Sequence, residues 1–279
     1  MKIALAQLTS SDDPSENLTH VRALMAEAKG KGADFVVTPE VTNCLSDSRS
    51  HQNSVLQIQT EDRTLAGLQE EAAAQDLWLL IGSLALKTDD RHGRFANRSF
   101  LIDPTGAIVA VYDKIHMFDV AVSETETYRE SAGYRPGSRA VVTKTPWGSL
   151  GMTICYDLRF PNLFRDLAQA GASMITVPSA FSQVTGAAHW EVLLRARAIE
   201  TGAFLIAPAQ TGTHRNQSGK TRKTYGHSMV VNPWGEVLLD AGTEPGLFYC
   251  DVDLSEVSRA RKRIPSVQAD APYAKPYEQ

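Results

Sequence analysis

The 279 residues carry 28 Lys plus Arg against 32 Asp plus Glu, a net charge of −4, with 43% apolar and 22% charged residues. That balance is ordinary for a folded chain and excludes the disordered and fibrous classes; with no long basic run, it also argues against nucleic acid or an anionic membrane as the main partner. The three cysteines, Cys44, Cys155 and Cys250, are odd in number and far apart, and no HExxH pair occurs, so neither a disulfide framework nor a metal site is expected.

Residues 3–8 read as a first strand. Gln7 and the polar run from Ser10 to Asp13 stop the apolar stretch too soon for a signal peptide, and no run approaches the ~20 residues of a membrane span, so the expected location is cytoplasmic. Asp13-Pro14-Ser15-Glu16 then opens a helix with Leu18, Val21, Leu24, Met25 and Ala28 on one face, stopped by Gly30 and Gly32. DFVVT at 34–38 is a short β-branched strand that ends in Pro39-Glu40, where the proline breaks the ladder. Residues 43–60 read as a surface loop, 64–75 as an alanine-rich helix and 77–86 as a strongly apolar strand. Strands at 95–102 and 107–112, joined by Asp103-Pro104-Thr105-Gly106, make the sheet mixed. Lys114 follows directly. Residues 117–138 have no clear period and read as a long loop of the kind that lines a site.

The stretch LGMTICYDLRFPNLFRDLAQAG at 150–171 is the pivot of the chain. Leu150, Met152 and Ile154 alternate with Gly151 and Thr153 as a buried strand ending at Cys155, and Pro161 opens a helix that carries Leu163, Phe164, Leu167 and Ala170 inward to Gly171. A strand at 173–178, a helix at 187–202 and a strand at 203–207 follow, then a polar loop at 211–224. A closing meander at 225–231, 236–240 and 247–252 precedes a last helix at 254–263. With no linker or repeat, a single domain over 1–265 with a tail at 266–279 is expected.

Glu40, Lys114 and Cys155 thus each stand at the exit of a strand, where ligands and chemistry gather in layered α/β folds. Taken singly, Cys155 fits a small core hydrophobe as well as a nucleophile, and Glu40 and Lys114 fit solvated surface charges. Together, Glu40 in VVTPE, Lys114 in YDKIH and Cys155 in ICYDLRFP resemble the nitrilase or carbon–nitrogen hydrolase superfamily. PSAF at 178–181, TGAAHWEVLLRARAIET at 185–201, YGHSMVVNPWGEV at 225–237 and DVDLSEVSRARKRIP at 251–265 are similar to its Nit branch of amidases.

The resemblance implies an α/β fold, a four-layer αββα sandwich of two mixed sheets flanked by helices, paired across its helices into a homodimer or a higher homo-oligomer. It also implies a Glu-Lys-Cys triad, a small-molecule amide substrate and no cofactor. Within the branch, the likeness is nearest to members that split deaminated glutathione into 2-oxoglutarate and cysteinylglycine; those acting on 2-oxoglutaramate are slightly more distant over 199–227. Nitrile hydrolysis, or a non-catalytic interaction module on the same fold, are the other readings. A second glutamate expected between the lysine and the cysteine matches Glu130 in ESAGYRPG best, with Glu124 and Glu126 close by. The Tyr156 backbone N–H follows the nucleophile and suits an oxyanion. Arg159 suits a loop acid or a substrate carboxylate, and His189 a pocket wall, whereas His116 reads as a structural histidine.

Overall fold

Alternation along the first strand sets the layering. In β1 (Lys2–Gln7), Ile3 and Leu5 join one buried cluster and Ala4 and Ala6 another, because successive side chains of a strand point to opposite faces. The chain continues through α1 (Pro14–Gly30), β2 (Phe35–Val37), α2 (Arg49–Val55), α3 (Arg63–Gln75), β3 (Trp78–Leu86), β4 (Ala96–Ile102) and β5 (Ile108–Asp113). Short elements follow: β6 (Asp119–Ala121), β7 (Thr127–Arg129) and α4 (Glu130–Gly133). Next come β8 (Val141–Thr145), β9 (Gly148–Met152), a 3-10 turn at Cys155–Arg159, α5 (Pro161–Gln169), β10 (Met174–Thr176) and α6 (Gln183–Thr201). The chain closes with β11 (Phe204–Ala207), β12 (Thr211–His214), β13 (Arg222–Tyr225), β14 (Met229–Val231), β15 (Val237–Asp240), β16 (Gly246–Asp251) and α7 (Ser255–Arg263). The structure, a computed structural model, describes residues 1–121, 127–216, 222–269 and 271–274.

The described residues form two six-stranded mixed sheets, ordered β16-β1-β2-β3-β4-β5 and β15-β14-β11-β10-β9-β8. In each, three central strands run parallel and the outer ones antiparallel. Phe35, Val37 and Leu80 face Leu150, Met152 and Met174 in the cluster between the sheets. Val36, Leu79 and Ile81 on the opposite face pack against Val21, Met25, Leu65 and Leu68 of α1 and α3. Leu163 and Leu167 of α5, with Trp190 and Leu194 of α6, cover the outer face of the second sheet. This is the αββα sandwich. Each fully buried aliphatic or aromatic side chain contributes about 1.5–3 kcal/mol, so all three interfaces of the sandwich stabilise the fold. Among the described residues no helix is long and apolar enough to cross a membrane.

Several expectations change. Residues 43–60 are not a surface loop: Thr42 to Ser46 are buried and α2 follows, its start capped by Ser48, whose hydroxyl accepts from His51 N. Of the loop expected at 211–224, residues 211–214 and 222–224 are strands instead, since β12 and β13 pair antiparallel from Thr211–Tyr225 to His214–Arg222. Within 117–138, β6, β7 and α4 appear. The ladder of β9 closes at Met152 rather than at Cys155, and Ala168, not Ala170, is buried on α5. The tail begins packed, because Gln169 donates to Val267 O at 3.1 Å and Val267 is buried.

Candidate active site

The second residue after Thr38, Glu40, leaves β2 on a tight turn. Val41 has φ +48, its N–H donates to Ser83 Oγ at 2.7 Å, and Thr42 Oγ1 donates to Pro39 O at 2.7 Å. Gly82 lets the turn close over β3, since a Cβ there would lie 1.9 Å from Thr38 O and 2.5 Å from Pro178 Cβ. The Glu40 carboxylate is thereby fixed inside the molecule, 4% exposed. Its Oε1 accepts from Lys114 Nζ and Asn97 Nδ2, both at 2.8 Å, and its Oε2 from Ala180 N at 2.9 Å.

Lys114 follows the last residue of β5 and is 2% exposed. Its ammonium meets Glu40 Oε1 at 2.8 Å and Glu130 Oε1 and Oε2 at 3.0 and 2.9 Å, which occupies its three donors. Glu130 opens α4 and is held in turn by Phe118 N, which donates to Oε2 at 2.6 Å. Burial opposes the charge on Lys114, but Glu130 and Glu40 outweigh it and hold the pKa well above 10.5. Burial likewise opposes the charge on Glu40, and Lys114 outweighs it, holding the carboxyl below its ordinary 4.5.

Cys155 stands on the first turn after β9 with φ +49, a left-handed geometry that costs about 1–3 kcal/mol in a residue with a Cβ. Two sets of bonds hold it there. Cys155 N donates to Pro178 O at 3.0 Å. Asp157, fully buried, accepts from Ile154 N at 2.9 Å and Tyr112 OH at 2.6 Å through Oδ2, and meets His116 N at 3.0 Å and His116 Nδ1 at 2.7 Å through Oδ1. The same carboxylate therefore ties the Cys155 turn to the loop that carries Lys114. Burial first, then the Glu40 charge, push the pKa of the thiol well above the ordinary 9.0 against the pull of Lys114.

These groups open onto a cavity of about 390 Å³ lined by Glu40, Asn97, Lys114, Glu130, Cys155 and Tyr156, with Phe118, Tyr128 and Phe181 as aromatic walls. Glu40, Lys114, Cys155 and Glu130 thus converge, and Tyr156 borders them. Arg159 and His189 are not among the lining residues. Arg159 Nη2 lies 3.1 Å from His189 Nδ1, and its guanidinium sits over the Tyr156 and Phe181 rings at 6.0 and 5.8 Å. Among the described residues Arg159 therefore meets no loop acid, it does not line the cavity, and His189 lies on the exposed side of α6. His116 stacks on Phe160 at 3.5 Å besides its Asp157 bond, a structural role as expected. Glu124 and Glu126 lie outside the described residues. Asn97, Asp157 and Arg222 carry no local sequence signal. Among the described residues no group of three His, Cys, Asp or Glu is arranged to hold a metal ion.

Residues 2–262 match the family model described as carbon-nitrogen hydrolase. The chain belongs to the carbon–nitrogen hydrolase family. This hydrolase is 37% identical over 267 residues, 95% of its length and 91% of the relative's, to the deaminated glutathione amidase of Yersinia enterocolitica. It superposes on Nit3 of Saccharomyces cerevisiae, a member of branch 10 of the nitrilase superfamily, with TM-score 0.82, 28% identity and 95% and 94% of the two chains covered. The likeness to the NitFhit protein of C. elegans has TM-score 0.86 and 34% identity, over 95% of this chain and 63% of that longer one.

Proposed function

We propose that this carbon–nitrogen hydrolase is an amidase that splits deaminated glutathione into 2-oxoglutarate and cysteinylglycine through a thioester on Cys155. The substrate is suggested by the name of the Yersinia enterocolitica relative. The observation that carries the chemistry is the Lys114 ammonium held at 2.8 Å from Glu40 and 2.9 Å from Glu130, with Cys155 lining the same cavity.

With Glu40 charged and the thiol protonated, Glu40 takes the Sγ proton as Sγ attacks the amide carbonyl carbon. The carbonyl oxygen becomes an oxyanion that meets the Tyr156 backbone N–H, which, at the start of a helical turn, has no partner within that turn, and the Lys114 N–H that Glu40 releases once it is protonated. The C–N bond breaks as Glu40 returns the proton to the amine. Water, deprotonated by Glu40, then attacks the thioester, and the thiol leaves with a proton. Glu130 positions Lys114. In the same reading, residues 1–265 are one catalytic unit with 266–279 as its tail, and a nucleophilic thiol that must stay reduced supports a cytoplasmic location. Val184, Val192 and Ile199 lie about two turns apart on one face of α6 and are 57%, 67% and 53% exposed, which supports a homodimer across that helix.

The test is a substrate panel on the purified protein. Cysteinylglycine and 2-oxoglutarate should appear from deaminated glutathione faster than ammonia appears from 2-oxoglutaramate. No release from any amide would overturn the amidase reading; faster turnover of 2-oxoglutaramate would overturn the substrate.

A further inference from the structure

The cavity holds a second cation whose charge the buried trio does not answer. Glu40, Lys114 and Glu130 satisfy one another and together carry one negative charge. Arg222, the first residue of β13, lines the same cavity. Its Nη2 donates a long bond of 3.3 Å to Ala180 O, and its Nη1 lies 3.7 Å from Asp47 Oδ1, beyond hydrogen-bond distance. Its Cζ lies 5.9 Å from the centre of the Tyr128 ring. A guanidinium has five N–H donors in a rigid fork, and among the described residues one hydrogen bond, to Ala180 O, is made by it. The side chain is 24% exposed.

Its position is fixed by the sheet rather than by its own contacts. Arg222 pairs with His214 across the hairpin, Thr224 bridges Ser182, and Tyr225 N donates to Phe181 O at 3.0 Å. The hairpin is thus pinned to the segment that begins at Ala180, whose N–H also holds Glu40. Two other arginines border the cavity. Arg49 donates to the carbonyls of Gly93 and Gly133 and lies over the Phe95 ring, and Arg129 is exposed.

We infer that Arg222 is the anchor for a carboxylate of the substrate, so that the site selects amides bearing an anionic group away from the bond that breaks. The inference rests on the amidase reading above, since it assigns the non-reacting end of the same substrate. An anion entering beside a trio of net charge −1 meets repulsion; Asp47 also lines the cavity as the 3.7 Å ion-pair partner of Arg222, and Arg222, Arg49 and Arg129 together outweigh these acids, leaving the lining with four positive charges against three negative. The guanidinium fork matches the two oxygens of a carboxylate, and a forked contact fixes orientation, which presents the amide carbonyl to Cys155 in one pose. Burial and the charges of Asp47 and Glu40 act on Arg222 in opposite senses, and the charges prevail, keeping it cationic.

The experiment compares glutaramate with pentanamide, in which a methyl group replaces the carboxylate. The wild-type enzyme should prefer glutaramate, and the ratio of kcat/KM values should fall about 10²-fold in Arg222→Gln and about tenfold in Arg222→Lys, mostly through KM. A wild-type enzyme without that preference, or an Arg222→Gln variant with an unchanged ratio, would overturn the inference. Should Arg222→Gln melt at the assay temperature, the wild-type ratio and the Arg222→Lys ratio decide. Calorimetric titration with glutarate separates the inference from the amidase reading. Glutarate binding that weakens in Arg222→Lys supports the anchor even if the wild type hydrolyses no amide; equal binding in both proteins overturns it while leaving the amidase reading intact.

Discussion

Before substrate arrives, burial and neighbouring charges leave Glu40 as a carboxylate, Lys114 as an ammonium and Cys155 as a thiol. The attack is therefore coupled to proton transfer rather than launched from a preformed thiolate. One consequence is measurable without substrate. A thiol whose pKa lies above 9.0 should alkylate with iodoacetamide at a rate that keeps rising with pH through neutrality, followed by mass spectrometry of the Cys155 peptide; a plateau at acid pH would mean a stable thiolate. Lys114→Ala should lower kcat by about 10²-fold or more, the loss expected for an oxyanion donor. Glu130→Gln keeps the size of the side chain but removes the charge that faces Lys114, so it should lower kcat much more than it raises KM. A change confined to KM would make Glu130 a substrate-binding residue.

Glu40, Lys114 and Cys155 were legible as strand exits because proline, a β-branched run and an apolar alternation mark where strands stop. Their supporting groups were not legible, because each meets its partner only where elements distant in sequence come together. Asn97 at the start of β4 reaches Glu40 from beyond β3, Asp157 reaches Tyr112 across the two sheets, and Arg222 enters on a hairpin whose polar residues have no apolar period. The same limit explains α2, a helix of polar residues whose Gln52 is buried through bonds to Ser46 O and Tyr134 OH. At this scale the Asp157 carboxylate holds the Cys155 turn. Asp157→Asn would leave some of its four donors without acceptors and should destabilise the protein by about 1–3 kcal/mol, read as a shift in urea midpoint, with a fall in kcat beyond the loss of folded protein. An unchanged midpoint would show that the turn holds itself.

Across the whole molecule, acid should weaken the fold through His214. It is buried, its Nδ1 donates to Ser10 O at 2.9 Å and its Nε2 meets Thr224 Oγ1 at 2.7 Å, and burial depresses its pKa from 6.5 to about 4. A base with a depressed folded pKa contributes stability that is fully present above its unfolded pKa of 6.5 and lost as pH falls toward 4. The unfolded chain takes a proton in that window that the folded chain refuses, a loss of about 3 kcal/mol. Urea midpoints should therefore drop between neutral pH and pH ~4.5 more in the wild type than in His214→Gln, where the titrating ring is gone. Equal drops would place the acid sensitivity elsewhere. Light scattering should return twice the chain mass if α6 pairs copies, and Val192→Glu should shift it toward the monomer; a monomeric wild type would contradict that pairing.

The central claim is that Cys155 is the nucleophile, and the most direct measurement is kcat of Cys155→Ala on deaminated glutathione beside the wild type, with both shown folded by their melting curves. Removing a nucleophile should cost about 10⁴-fold or more, while truncating so small a side chain opens little cavity and leaves the fold intact. A folded Cys155→Ala enzyme turning over near the wild-type rate would contradict the mechanism.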